Sequence, residues 1–518
     1  MSRRYDAIVV GGGHNGLVAA TRLAKAGRRT LLLEAQERLG GLAGARDLGG
    51  TLVPAGAHLL YALHPQIERA LELERHGLAY ASRDLGTLAV NAEGRRLALG
   101  GGGDSPDAAA WAALETRLLA YAKALAPFRA EPPPRPVGGD WGDRWALAKL
   151  GLRLRRLGRG ELREFLRIVL LNVQDLLDDT LGDPLLKAAL AWDALVGTHL
   201  APRSPGGVLA WLYRLSGRAA GSAPLALPRG GVPALADALT SAARAAGVEV
   251  RASSPVARVL LDEERVRGVV LEGGEEIAAG QVLCSTDPKR TLCSFVGAPW
   301  LDTGFLRQAR RLRSRGLVGK LDLLLDALPD DLAADARRGR LLLLDDLAGL
   351  EESYDGAKYG EVPAGLGGEL LVPGAIDPAD EPPALSLLLT YLPTQAKVGL
   401  EAARADAEAK ALALLESRWP GLTGRIAAKD LWLPGDYEAR LGLSGGDWHH
   451  AETTIEQLFL LRPVAGAARY ATPVAGLFLC GAGAHPGGHV TGLPGWNAAA
   501  AALKDTGAKD PGAKEKAA

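Results

Sequence analysis

The chain has 518 residues, more than one hydrophobic core supports, so two domains are expected. Hydrophobic residues make up 47%, enough for large buried cores, while 60 basic and 60 acidic residues cancel and exclude the basic field that general nucleic-acid binding needs. Cys284, Cys293 and Cys480 have neither metal-ligand spacing nor a disulfide framework, so no metal is expected and the compartment reads as reducing.

Asp6-Ala-Ile-Val-Val predicts a short strand that runs into a glycine-rich turn and a helix. Gly11, Gly13 and Gly16 have the Gly-x-Gly-x-x-Gly spacing. Gly11 makes the tight turn, Gly13 lets backbone approach a pyrophosphate, and Gly16 lets helix and strand pack closely. The pyrophosphate then meets the free N–H groups at the helix start. A second strand, Thr30-Leu-Leu-Leu, ends at Glu34, near the spacing expected for a carboxylate that accepts from a ribose. Arg38, Gly40 and Gly41 follow and offer a second close backbone approach, which suits the long, folded FAD molecule.

Pro65 to Gly77 reads as helical, and a glycine-rich loop at 100–103 leads into a helix over Asp107 to Leu125, capped near Ser105. Pro132-Pro-Pro-Arg-Pro marks a hinge, and Trp141 to Leu215 reads as mainly helical. Within it, Arg153, Arg155, Arg156, Arg159, Arg163 and Arg167 alternate with leucines. Such a segment is either a solvated face over a packed leucine stripe or a basic amphipathic surface for an anionic bilayer. Beyond Pro228 come an amphipathic helix, the strand Val248-Glu-Val-Arg-Ala, and a β-meander with turns at Asp262-Glu-Glu and Gly273-Gly274. Leu321-Asp-Leu-Leu-Leu and Leu385-Ser-Leu-Leu-Leu-Thr-Tyr are candidate strands of a second sheet. Gly476 to Ala500 runs from strand through a glycine-rich loop into an alanine-rich helix, a second place where free N–H groups stabilise negative charge. The tail from Lys504 lacks apolar periodicity and is expected to be disordered. No signal peptide precedes the first strand and no apolar run is long enough to span a bilayer, so a cytoplasmic location is expected.

Gly-His-Asn-Gly-Leu at 13–17, Arg-His-Gly-Leu at 75–78, Gln457-Leu-Phe-Leu-Leu-Arg-Pro463 and Gly481-Ala-Gly-Ala-His-Pro-Gly-Gly488 occur in order. Together they resemble the phytoene-desaturase-like branch of the flavin amine oxidase superfamily, over about Tyr5 to Leu503. Within it they resemble the group of pyridine nucleotide-disulfide oxidoreductase domain-containing protein 2 and cyanobacterial-type β-carotene ketolases. The resemblance implies FAD and an α/β fold (α+β overall) of amine-oxidase-like architecture. A Rossmann-like FAD-binding domain with a β-meander would span 1–104, 225–298 and 441–503. A mixed sheet/helical substrate domain would span 105–224 and 299–440, and 504–518 would form the tail. FAD contacts are implied at Gly11, Gly13, His14, Asn15, Gly16, Glu34, Ala35, Arg38, Gly40, Gly41 and Val256, and at Gly481, Gly483, Gly492 and Asn497. Ala484 and Trp496 depart from the Thr and Arg usual among related sequences.

FAD chemistry needs no protein nucleophile, so the candidate catalytic groups are bases: His485, His450 and His58. Each is open to a purely structural reading, as are His449, Trp192, Asp193 and His199. The function expected is a desaturase or oxidase acting on a hydrophobic, isoprenoid or carotenoid-like small molecule, with oxygen or a quinone as electron acceptor and peripheral contact with the inner membrane face. The alternatives are an amine or amino-acid oxidase on the same fold and a flavin-binding interaction protein with little turnover.

Overall fold

A computed structural model describes residues 5–100, 104–135, 138–377 and 384–505. Two seven-stranded sheets organise them. The first runs in the order Val256–Asp262, Arg265–Leu271, Glu276–Cys284, β1 (Tyr5–Val10), β2 (Thr30–Leu33), Glu249–Arg251, with Leu477–Leu479 pairing beside Glu276–Cys284. β1 is parallel to β2 on one side and to residues 279–284 on the other. From Ala7 to Val10 it is covered on both faces and reads as an unbroken apolar run rather than an alternation. Glu276–Cys284 belongs to two arrangements. Its first residues pair antiparallel with Arg265–Leu271, completing the expected meander, and its last residues enter the parallel sheet.

α1 (His14–Lys25) connects β1 to β2. Its N-cap is Gly13, which offers no side-chain cap, so the first N–H groups have no side-chain acceptor there. Gly11 has φ +98°, and a Cβ on Gly16 would lie 2.0 Å from the Gly11 carbonyl oxygen. The tight turn and the close helix–strand contact therefore both exclude larger residues.

The second sheet runs Ile426–Trp432, Gly319–Leu325, Ala384–Leu389, Gly368–Leu371, Arg340–Leu343, Thr87–Val90, Arg96–Leu99. Both candidate strands are in it. Thr87–Val90 and Arg96–Leu99 are also there, although the expected boundary at residue 104 put them in the FAD-binding domain. Their hairpin joins through the parallel pairing of Thr87–Val90 with Arg340–Leu343, a contact made some 250 residues away that no local pattern announces. The hairpin of Ala45–Leu48 and Thr51–Pro54 packs on the second sheet. Its buried Arg46 bonds Asp322 at 2.7 Å and Asp430 at 2.5 Å.

The helical insert contains Ala108–Ala130, Trp141–Arg155, Arg159–Ile168, Val173–Asp178, Pro184–Leu195 and Gly207–Ala219. Leu150, Leu154, Leu157 and Leu162 pack against its core, whereas Leu152 and Leu166 are exposed. The Leu/Arg segment is thus both a packed stripe and an outer surface. No helix among the described residues is long and apolar enough to cross a membrane. The tail beyond residue 505 lies outside the described residues.

Candidate active site

A cleft of about 540 Å³ opens above the ends of β1 and β2. Gly11, Gly13, His14, Asn15, Glu34, Ala35, Arg38, Gly41 and Val256 all line it. Glu34 is fixed at the strand end because its carboxylate accepts the Gly12 N–H at 2.6 Å and the Gln36 N–H at 2.9 Å. A Cβ on Gly13 would meet nothing nearer than the Gly40 carbonyl oxygen at 4.0 Å, and its φ of −65° is open to any residue. The protein itself therefore does not require glycine at position 13.

Gly16 and Gly40 support this floor without lining it. A Cβ on Gly40 would lie 2.6 Å from the Gly44 Cα, and the Gly40 N–H donates to the Gly12 carbonyl at 2.9 Å. The C-terminal residues expected to touch the cofactor, Gly481, Gly483, Gly492 and Asn497, line neither the cleft nor the chamber behind it. Their small size serves packing. Cβ atoms would meet the Ser285 carbonyl oxygen at 2.3 Å from Gly481, the Pro288 Cδ at 2.3 Å from Gly483 and the Ile67 Cδ1 at 2.9 Å from Gly492. Asn497 donates to the Ala130 carbonyl at 3.0 Å. Ala482, Gly488, His489 and Val490 are the members of that loop that face the cavities. Trp496 lies under the Arg22 guanidinium, 3.9 Å from its ring centroid, and lines neither cavity.

Behind the cleft is a chamber of about 70 Å³. The two cavities share His14, Leu42, Trp448 and Ala482. At or beside this junction His14 Nε2, Asn15 Oδ1, His450 Nδ1 and Trp448 Nε1 are buried with no hydrogen-bond partner. Buried polar atoms are nearly always satisfied, so the junction suits a flat group with polar edges between apolar walls. His450 and His489 hold left-handed backbone, at φ +60° and +70°. Such strain concentrates at ligand sites.

The three candidate bases separate. His450 lines the cleft with Nδ1 free. Burial pushes it down to about 4, so it is a neutral imidazole at neutral pH. His58 reaches the chamber, but Nδ1 lies 3.0 Å from Ser386 Oγ and Nε2 lies 2.9 Å from Glu369 Oε1, so neither nitrogen is available to a substrate. His485 lines neither cavity; it is fully buried and its Nε2 donates to the Phe128 carbonyl at 2.7 Å. It pins the glycine loop to the helical insert. His199 packs edge-on to Tyr354, while Trp192 and Asp193 bond Glu369 and Arg340.

Sequence reasoning passed over Arg214, Tyr61, Glu369 and His489, all of which line the chamber. Glu369 carried one signal: a lone carboxylate inside the apolar strand Gly368–Leu371. Burial alone would raise its pKa, but the Arg340 guanidinium, 2.8 Å away, and His58 override that and hold it well below the usual carboxylate range. Arg462, from the expected Leu-Arg-Pro motif, is fully buried and donates to the carbonyls of His449 at 2.7 Å and Ala482 at 2.9 Å. It ties the 449–452 loop to the turn at the junction.

A dinucleotide cleft on a Rossmann-like sheet, roofed by a second sheet and closed by a small inner chamber, defines a two-domain oxidoreductase fold of the amine-oxidase type. A sequence profile for the NAD(P)-binding Rossmann-like domain matches residues 9–72. The chain is 31% identical over 545 residues to pyridine nucleotide-disulfide oxidoreductase domain-containing protein 2 of Rattus norvegicus, covering 97% of this chain and 94% of that one. It belongs to that oxidoreductase family. Shorter matches, each 48% identical, join it to (S)-6-hydroxynicotine oxidase of Paenarthrobacter nicotinovorans (82 residues, 15% of this chain and 19% of that one) and to the zeta-carotene-forming phytoene desaturase of Myxococcus xanthus (60 residues, 12% of each). The solved structure of putrescine oxidase bound to putrescine shares the fold at TM-score 0.62 and 16% identity, over 97% of this chain and 100% of that one.

Proposed function

We propose that the protein is an FAD-dependent oxidase of small polar amines. One observation carries this reading: the chamber that adjoins the cleft is about 70 Å³, and Arg214, Glu369, Tyr61 and four histidines stand among its apolar walls. A cavity of that size has room for on the order of five non-hydrogen atoms. A long isoprenoid would need a far longer cavity there. The cleft lining and the orphaned junction atoms support FAD as the dinucleotide, with its ring system at the junction. When bound, FAD supplies a two-electron acceptor for hydride from the carbon beside the amine nitrogen, and oxygen or a quinone takes the electrons onward.

The chain's own residues bind, orient and exclude water. Glu34 would accept from a ribose hydroxyl, and the start of α1 would face the pyrophosphate. Leu42, Ala482 and Trp448 hold the junction dry. Burial keeps His14 and His450 neutral at neutral pH, pushed down to about 4. His450 Nδ1 is the free acceptor for a proton released at the junction.

The test is anaerobic mixing of the yellow protein with short amines, amino acids and detergent-solubilised isoprenoids while flavin absorbance is followed. Bleaching by a short amine supports the reading; bleaching by isoprenoids alone overturns it. A second reading, a desaturase of lipophilic substrates at an anionic membrane, draws on the exposed face of Trp141–Arg155. There Trp141 and Trp145 are 82% and 63% exposed beside Arg144 and Lys149.

A further inference from the structure

The charges around the chamber do not balance. Arg340 pairs with Glu369 and Asp193, each at 2.8 Å, and Arg214 pairs with the same Asp193 at 3.1 Å. Those two carboxylates are matched by those two guanidiniums. Two further arginines, Arg129 and Arg462, are buried at 3% and 0% exposure and make no ion pair among the described residues. Arg129 donates only to Ser216 Oγ at 3.3 Å, and its Nε and Nη2 have no partner. Arg462 is satisfied largely by backbone carbonyls. The nearby carboxyl that could answer it, Asp447, is pushed up to about 7 by burial and is a weak counter-charge at neutral pH.

The excess is felt inside the chamber. Burial first, then His449, Arg129, Arg214 and Arg462, hold the His489 imidazole well below its ordinary value. The chamber therefore combines the neutral imidazoles of His14, His449 and His489 with nearby arginines that make no ion pair among the described residues. Leaving buried charge unpaired is costly, and an anion in the cavity removes the cost.

Arg214 is the cation in a position to meet such an anion. It lines the chamber, and its Nη1 is buried with no hydrogen-bond partner. The guanidinium is held flat: its Cζ lies 3.9 Å from the Tyr61 ring centroid, and its Nη2 is tied to Asp193. Tyr61 is itself anchored, with its hydroxyl 3.1 Å from His489 Nδ1. A planar, pre-oriented guanidinium with an unused edge is matched to a carboxylate.

We propose that Arg214 anchors the carboxylate of the substrate, which makes the substrate class short-chain amino acids or N-substituted amino acids rather than simple amines. The inference rests on the oxidase reading above and narrows it. Volume sets the upper limit: a carboxylate, one carbon and an amine nitrogen with a small substituent fill a chamber of this size.

The experiment is calorimetric titration of the purified holoprotein with propionate, propionamide and propylamine. The three are near-isosteric and differ in charge. Propionate is expected to bind and to perturb the flavin spectrum, with propionamide and propylamine weaker by roughly 10- to 100-fold, the range for a charge-assisted hydrogen bond. Arg214→Met should remove the propionate preference and Arg214→Lys should restore part of it. Because Arg214→Met leaves Asp193 less well paired, the wild-type comparison of propionate with propionamide decides the matter if that variant fails to fold. Equal binding of the acid and the amide, or tighter binding of propylamine, overturns the anchor. Flavin content is measured first. Protein that cannot bind FAD overturns the oxidase reading, whereas FAD-loaded protein that oxidises amines and ignores carboxylates overturns the anchor alone.

Discussion

His58 Nε2 lies 2.9 Å from Glu369 Oε1, and the other oxygen of that carboxylate accepts from Trp192 Nε1 and Arg340 Nη1, each at 2.8 Å. A histidine that looked like a candidate base is thus one end of a buried, fully bonded network joining the helical insert to the second sheet. Removing one member of such a network leaves an uncompensated buried charge. Glu369→Ala is expected to lower stability by about 3–5 kcal/mol, and Glu369→Gln by less, because the amide still accepts one hydrogen bond. Chemical denaturation of the two variants checks this; equal, sub-kilocalorie effects would show that the network is not structural.

Gly13 separates ligand from fold. Its backbone suits any residue, and a Cβ there meets only open cleft. Gly13→Asp should therefore fold with near-wild-type circular dichroism yet lose FAD, because a carboxylate would occupy the pyrophosphate position. Bound flavin per protein, read from the absorbance ratio after acid release, gives the answer. An Asp variant that keeps its flavin would mean that the dinucleotide lies elsewhere.

Nicotinamide is not expected to be a tightly held partner, although the matched domain profile is described as NAD(P)-binding. The chain has one Gly-x-Gly-x-x-Gly in a strand–helix frame, and FAD is expected to fill it. Slow, non-saturating reduction by NADPH in stopped-flow mixing is the expected result, and fast saturable reduction the contrary one.

The buried imidazoles make stability depend on pH. His14, His199, His450 and His485 are pushed down to about 4 and His449 to about 3, in each case mainly by burial. Unfolded histidines titrate near 6.5, so below that pH the unfolded chain binds protons that the folded chain refuses. Their contribution is complete above about pH 6.5 and is lost progressively toward pH 4. Asp447 acts in the opposite sense. Raised by burial to about 7, it keeps a proton that the unfolded carboxyl releases near 4, so it favours the fold in acid and loses that advantage as pH rises through 7. Calorimetric scans should show Tm falling from pH 6.5 to 4.5, with Asp447→Asn raising Tm at pH 8 and leaving it little changed at pH 4.5. A Tm that is flat over this range would contradict the assigned burial of these groups.

The outer face of Trp141–Arg155 supplies a test of membrane contact. Trp141, Trp145 and Leu152 fall on one exposed stripe beside basic residues. Each cation near an anionic surface adds about 1 kcal/mol of attraction, screened by salt. Changing Arg153, Arg155, Arg156 and Arg159 to Gln should cut sedimentation with anionic liposomes at low salt while leaving FAD content intact. Wild-type protein that stays in the supernatant would remove the membrane from the account.

What the sequence by itself determined is the glycine-lined end of the cleft. Gly11, Gly13, Gly16 and Glu34 lie within a single strand–helix–strand unit, and their roles follow from local backbone geometry and spacing: a turn at φ +98°, a close helix contact, a carboxylate at a strand end. The meander and the two main strands of the second sheet were legible for the same reason, since strand and turn signals are local. The substrate end was decided by tertiary structure alone. His58 meets Glu369 across 311 positions and Tyr61 meets His489 across 428. Whether a histidine is a base or a brace depends on which partner the fold brings to each ring nitrogen. His485 carried the strongest local motif and became a brace because a carbonyl of the helical insert lies at its Nε2. The positive charge of the chamber is likewise invisible in a chain of zero net charge. It arises only when folding buries Arg129 and Arg462 without an ion pair among the described residues, where low dielectric makes an unpaired charge count.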